Sequence, residues 1–393
     1  MNVCLLADAI QPPLTGIGRY AFELAAGLHE RADIDDIELL TYRGKVRWSA
    51  LQARCAAVEV DAPLDGDKNE ALTWQTLLSR TRGWLIDRQV VSATYEVVQN
   101  WQYRRALTHR TDCVIHGPNY HLPTQYPEGN ASVVTVHDLS TELFPQWHPD
   151  QRVARMKRAL QSAIGRAQIV LVDAASTAND VIERFAVAQS KVVTVPLGID
   201  PAFSKLPLSL TRRYTLCVST IEPRKNIGSL LSAYQSLPDS FKREFPLVLA
   251  GGYGWKSEST HRHIEACVAQ GWLKYLGYVS QPELLRLYAG AALVAYPSLH
   301  EGFGLPVLEA MASGCRVVAG NNSSIPEVAG GLAHLVDVSD VAELAHAIQC
   351  ALQDRWNVTE AIARRTHASS FTWQSTVAKT SAAYKIALER RAA

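Results

Sequence analysis

Strand-like and helix-like segments alternate along nearly the whole chain, in two series separated by a single break. Such alternation is the signature of parallel sheets covered by helices. The first series predicts strands at Asn2–Ala7, Ile37–Tyr42, Ala56–Val60, Asp112–His116, Val133–His137, Ile169–Val172 and Val192–Val195. Its helices are expected at Ile17–Glu30, about 70–109, Gln151–Arg166 and Ser176–Phe185, with Ser176 and Thr177 as an N-cap pair. Pro196-Leu-Gly-Ile-Asp-Pro201 then interrupts the pattern. The second series predicts strands at Tyr214–Ser219, Leu247–Ala250, Leu273–Leu276, Leu293–Tyr296, Arg316–Ala319 and His334–Val336. Helices follow at Ile227–Ser236, Ser259–Ala269, Pro282–Ala289, Leu305–Ser313, Val341–Gln353 and Thr359–His367. The fold class is therefore α/β. The expected domains are 1–197 and 198–371, and 372–393 reads as a last helix. A length of 393 residues suits two domains.

Composition narrows the function classes. Hydrophobic content of 47% with 20% charged residues describes an ordinary globular protein. A net charge of +1 gives no bulk field for nucleic acid, and none is expected as a partner. Seven scattered cysteines contain no CxxC pair, so neither a zinc site nor a disulfide framework is indicated. No 18-residue apolar stretch exists, and the start lacks a basic leader pattern, so a cytoplasmic location is expected.

The chemistry concentrates at strand–helix junctions, where ligands of open α/β sheets bind. In His300-Glu-Gly-Phe-Gly-Leu-Pro-Val-Leu-Glu309 an apolar strand passes through a glycine loop into a helix. Glu301 lies in the loop and Glu309 about one turn into the helix. Gly302 and Gly304 let the backbone approach a ligand closely, and the helix start favours an anion. Two carboxylates astride such a start suit a phosphorylated, hydroxyl-rich ligand such as a nucleotide sugar. Arg224 and Lys225 stand side by side before another helix, a fork and a point charge suited to a diphosphate. Thr15-Gly-Ile-Gly18 follows the first strand, where Gly16 and Gly18 let backbone amides reach a phosphate or sugar. His137 ends a strand and is a candidate donor to a sugar hydroxyl or a developing charge. Asn119 and Tyr120 end another strand and are candidate acceptor contacts.

Asp65-Gly-Asp67 has the spacing of a metal-binding pair, but its polar, turn-rich setting reads as a solvated turn, and no metal site is expected. Arg152, Arg155, Lys157, Arg158 and Arg166 cluster on one predicted helix, interleaved with Val153, Met156, Leu160 and Ile164. A solvated face is the common explanation, and a membrane-surface face is the other.

These motifs resemble the retaining glycosyltransferases of glycosyltransferase family four, which have the GT-B fold. The resemblance covers essentially the whole chain. Glu301 and Glu309 resemble the family's E-x7-E signature, Gly16 and Gly18 its glycine loop, and Arg224 and Lys225 its diphosphate-binding pair. His137 stands where that family places a histidine over the donor sugar. The resemblance implies two Rossmann-like parallel-sheet domains facing a central cleft, with the last helix crossing back to the N-terminal domain. The first domain would bind acceptor and the second the nucleotide sugar. Glu309 would hold the ribose, Glu301 the donor sugar, and the amides of Phe303, Gly304 and Leu305 sugar and phosphate. Transfer would retain configuration without a metal or other cofactor. Thr220-Ile-Glu-Pro-Arg-Lys-Asn226 and His137-Asp-Leu-Ser-Thr-Glu-Leu-Phe-Pro-Gln-Trp-His148 look most like members that move mannose or a 6-deoxy mannose-type sugar from GDP. Those members often build O-antigen or exopolysaccharide chains on glycan or polyprenyl-diphosphate-linked acceptors, which implies peripheral association with the inner face of the cytoplasmic membrane. Cys315-Arg316 departs from the family pattern and is expected to affect strand packing. Two other readings stay open. One is a nucleotide-sugar 2-epimerase or hydrolase on the same fold. The other is a non-catalytic, membrane-associated assembly factor, which the intact Glu301, Glu309, Arg224 and Lys225 disfavour.

Overall fold

The computed structural model describes residues 1–14, 16–60, 89–208 and 212–392. Among these residues the strands form two sheets. The first contains β1 (Asn2–Leu6), β2 (Asp36–Thr41), β3 (Gly44–Val46), β4 (Cys113–Gly117), β5 (Ala131–Val136), β6 (Ile169–Val172) and β7 (Val192–Thr194), in the order β3-β2-β1-β4-β5-β6-β7. The second contains β8 (Tyr214–Val218), β9 (Leu247–Ala250), β10 (Leu273–Gly277), β11 (Ala291–Tyr296), β12 (Arg316–Gly320) and β13 (His334–Val336), in the order β10-β9-β8-β11-β12-β13. Both orders reverse direction part-way across the sheet, the doubly wound pattern that leaves a switch point at the strands' carboxyl ends. The short edge strand β3, which pairs antiparallel with β2, lay outside the sequence expectations.

Packing divides the chain into two compact units. One comprises Met1–Thr135, Asp150–Val170 and Ser381–Ala393; the other comprises Val136–Pro149 and Leu171–Thr380. In the second unit, Leu249, Leu293, Ala295 and Val318 from the strands meet Leu230, Tyr234, Ile264, Leu344 and Ile348 from three helices in one buried cluster. The strands are near-continuous apolar runs because both of their faces are covered. In β11, five of the six residues are buried. In the first unit, the helix Gly16–His29 buries Tyr20, Leu24 and Leu28, one face at helical spacing.

Two local expectations are corrected. Ala56–Val60 is the end of a helix, Trp48–Val60. Alanine-rich propensity and the buried i,i+4 pair Leu51 and Cys55 decide for helix over strand. Ser176 and Thr177 do not cap the helix Ala175–Phe185. Ala174 is its N-cap, without a side-chain bond. The carboxylate of Glu327 accepts the Ala175 N–H instead, at 2.9 and 3.1 Å. A distant acid thus satisfies the orphan amide and complements the helix dipole. Thr177 Oγ1 donates to the Gly302 carbonyl at 3.3 Å.

Cys315-Arg316 has a structural role, as expected. Arg316 is buried and its guanidinium donates to the carbonyls of Ala351, Asp354 and Arg355 at the end of the helix Val341–Gln353. Buried cations are stable where they meet the exposed carbonyls of a helix C-terminus.

Candidate functional site

Three loops of the second unit meet at the carboxyl ends of the adjacent strands β8, β11 and β12. The loop after β8 turns through Pro223–Lys225, with Asn226 in the left-handed region at φ 53°. That turn puts Arg224 and Lys225 on one side. The loop after β11 carries Ser298, His300 and Glu301, and the two loops are joined by the Leu299 N–H donating to the Arg224 carbonyl at 2.9 Å. The loop after β12 braces the second from below. Ser323 Oγ accepts the Glu301 N–H at 2.9 Å, and Ser324 Oγ donates to the carbonyls of Glu301 and Phe303.

Glu301 is the hub. Its Oε2 accepts from Arg224 Nη1 at 2.8 Å. Its Oε1 accepts from Lys225 Nζ at 2.5 Å, Tyr296 OH at 2.8 Å and Ser298 Oγ at 2.5 Å. Arg224 also donates to Glu222 at 3.0 Å and to the His300 carbonyl at 2.9 Å. Three donors meet Oε1 and one meets Oε2, so the four are shared unevenly between the two carboxylate oxygens. Burial opposes charge on Glu301, but Arg224 and Lys225 overcome it and hold the carboxyl well below its ordinary range. Lys225 is pushed below its usual value by burial and by Arg224, while Glu301 pulls the other way. Burial also works against the Arg224 charge, yet Glu301, Asp138 and Glu222 keep it firmly protonated. The carboxylates Glu301, Glu222 and Asp138 therefore already set negative charge around the two cations that, in sequence, suit an external anion.

His137 follows β5 beside this network. A Cβ on Gly302 would lie 1.7 Å from the His137 carbonyl oxygen, so only glycine allows the loop to pass there. His137 Nδ1 pairs with Asp173 Oδ2 at 2.7 Å, both side chains being buried. The next residue, Asp138, accepts from the Ser140 N–H and hydroxyl. Burial opposes its charge, but Arg224 and those bonds hold it below the ordinary carboxylate range.

Glu309 is half-buried, and Tyr288 OH donates to its Oε2 at 2.8 Å. The helix Leu305–Ala312 begins at Gly304, φ 102°, with no side-chain cap and with Pro306 in its first turn. Its amides are thus not satisfied by a capping side chain, the arrangement that suits an anion. Phe303 is buried edge-on to Phe371, ring centres 5.9 Å apart.

The remaining expected positions belong to the first unit. Gly16 opens its helix and a Cβ there would meet nothing within 4 Å. Gly18 is needed for packing, because a Cβ would lie 2.9 Å from the Ala9 carbonyl oxygen. Asn119 is exposed, whereas Tyr120 is buried at φ 55° and its N–H donates to the Thr135 carbonyl. His116, at the end of the strand before them, is enclosed, with Nδ1 on Tyr384 OH and Nε2 on Thr135 Oγ1. On the basic helix Asp150–Arg166, Leu160 and Ile164 are buried while Lys157 and Arg158 are exposed. Its most apolar positions face the core, so any membrane attraction there is electrostatic. Thr15 and Asp65–Asp67 lie outside the described residues. Among the described residues no group of three or more His, Cys, Asp or Glu is placed to hold a metal ion, and no helix is long and apolar enough to cross a membrane.

Sequence reasoning missed Glu222, Tyr288, Tyr296, Ser298, Ser323, Ser324 and Asp173. Glu222 was legible beside Arg224, and Ser298 three residues before Glu301. Tyr288 and Asp173 had no local signal, because their partners lie on other elements.

Comparison with known proteins accords with this geometry. Residues 199–368 match the family Glycosyl transferases group 1. The chain is 31% identical over 399 residues to the O-antigen chain mannosyltransferase B of Escherichia coli, covering 98% of this chain and all of that protein. The fold is shared with the sucrose-phosphate synthase of Thermosynechococcus elongatus, at a TM-score of 0.67, 18% identity and 98% coverage of both chains. It is also shared with Anabaena HepE, solved with UDP and glucose, at a TM-score of 0.65, 16% identity and coverage of 98% and 99%. With two parallel-sheet domains of the GT-B type and a relative matched from end to end, the chain belongs to the glycosyl transferases of group 1.

Proposed function

We propose that this glycosyltransferase moves mannose, or a 6-deoxy mannose-type sugar, from a GDP-sugar onto a glycan or polyprenyl-diphosphate-linked acceptor in surface polysaccharide synthesis. The observation that carries the chemistry is the rigid pair Arg224 and Lys225. In transfer, the acceptor hydroxyl oxygen attacks the anomeric carbon, the bond from that carbon to the β-phosphate oxygen breaks, and the departing phosphate takes the hydroxyl proton on the same face. Configuration is retained. Negative charge gathers on the phosphate, where a guanidinium fork and an ammonium stabilise it without reorganising. Those cations do the electrostatic work of a metal, so the reaction needs none. Glu309 accepts from the ribose hydroxyls, His137 addresses the donor sugar, and the amides of Phe303, Gly304 and Leu305 meet sugar or phosphate. Glu301 holds the cations in place as well as lying beside the sugar. The full-length similarity to an O-antigen mannosyltransferase supports the choice of mannose and of a cell-surface glycan acceptor. Exposed Lys157 and Arg158 support peripheral attraction to an anionic cytoplasmic membrane face.

A thermal-shift screen of GDP-, UDP-, ADP- and dTDP-sugars tests the donor. Ligand at about 100 times its Kd stabilises by roughly 2.7 kcal/mol. A shift with GDP-mannose, followed by an α-linked product on an added acceptor by NMR, is expected. Conversion of the donor alone, with no second substrate consumed, would favour the epimerase or hydrolase reading instead.

A further inference from the structure

The pair His137 and Asp173 is not explained by any motif. His137 follows β5, and Asp173 follows β6, its neighbour in the sheet. Their side chains are 9% and 4% exposed, and Nδ1 meets Oδ2 at 2.7 Å. Burying a carboxylate in this way is costly, and an apolar pair of similar volume would serve packing at least as well. The surroundings fix both partners. The His137 carbonyl is packed under Gly302, in the loop that carries Glu301. Asp173 stands two residues before Ala175, whose amide is clamped by Glu327. Burial pushes the Asp173 carboxyl above its ordinary range while His137 beside it draws it down; with that carboxylate ionised it only accepts, so Nδ1 carries the proton and Nε2 becomes the ring position that can take or hold another. A second partner on one ring nitrogen is the usual means of setting a histidine's tautomer and orientation.

We propose that Asp173 is a positioning residue for sugar transfer, holding the His137 ring in one tautomer and one orientation toward the reacting sugar. This rests on the reading of His137 as a donor-sugar contact. A carboxylate at this place contributes to kcat through His137 and leaves donor binding nearly unchanged. Its effect therefore vanishes once the imidazole is gone.

The test is a double-mutant cycle with GDP-mannose and an α-mannoside acceptor, comparing wild type, Asp173→Asn, His137→Ala and the double variant, with Tm recorded for each. Asp173→Asn is expected to lower kcat about 10-fold or more, with the donor KM within about threefold. In the His137→Ala background the same change is expected to cost no more than about twofold. Asp173→Glu, which keeps the charge, is expected to recover part of kcat. Should Asp173→Asn fail to fold, Asp173→Ser enters the same cycle. Full multiplication of the two losses would overturn the proposal, as would a near-normal Asp173→Asn beside a slow His137→Ala. Wild-type kcat in His137→Ala would overturn the reading of His137 itself, and with it this inference.

Discussion

Replacing Glu301 by glutamine keeps the side chain's shape and removes its charge, and the hub geometry turns that into a number. Arg224 is on one oxygen, and Lys225, Tyr296 and Ser298 are on the other. A glutamine offers one acceptor oxygen and one NH2 that only donates. Whichever way it is turned, its NH2 points at an N–H or O–H donor. Removing one partner of a buried ion pair costs about 3–5 kcal/mol, because the charge left behind stays buried. At about 2–4 °C per kcal/mol for a unit of this size, calorimetry at pH 7 is expected to show a Tm lower by roughly 6–20 °C. The loss also has a pH signature. The folded carboxyl is held well below its ordinary value of 4.5. A depressed folded pKa gives stability that is fully present above the unfolded value and is lost as pH falls toward the folded one. Wild-type Tm is therefore expected to fall as pH drops below about 5, and the gap to Glu301→Gln to narrow over the same window. A gap under about 2 °C at pH 7, or one that does not narrow below about pH 4, would refute the hub assignment.

Arg224→Ala and Lys225→Ala are each expected to weaken GDP binding by about 10- to 150-fold, the equivalent of one charged hydrogen bond; wild-type affinity by calorimetric titration in the double variant would count against a diphosphate site. Glu309→Gln and Tyr288→Phe, which remove and loosen the same carboxylate, are expected to raise the donor KM with kcat nearly intact, since a ribose diol is bound alike in ground and transition states. A fall in kcat alone would reverse that assignment. Turnover is expected to survive EDTA, and loss restored by magnesium or manganese would show that the cations do not suffice.

Local chemistry made most of the fold legible. The helix Val341–Gln353 matches its expected bounds residue for residue, because its apolar residues recur at helical spacing between Asp340, which caps it, and a polar stop. The junction from β11 through the glycine loop to Leu305–Ala312 was equally readable, since a buried strand, a loop and an amphipathic helix each carry their own period. Tertiary structure decided what local periodicity leaves open. Ala56–Val60 became helix, and Glu327 replaced Ser176 and Thr177 at the cap of a helix about 150 residues away in sequence. Above all it decided the state of the site. Arg224 and Lys225 lie 77 and 76 residues from Glu301, and His137 lies 36 from Asp173. Residue types and spacing can nominate these groups. Whether a carboxylate meets water, a ligand or two buried cations depends on which strand ends the sheet order places side by side, because the electrostatic energies involved act over a few ångströms and only in a desolvated setting.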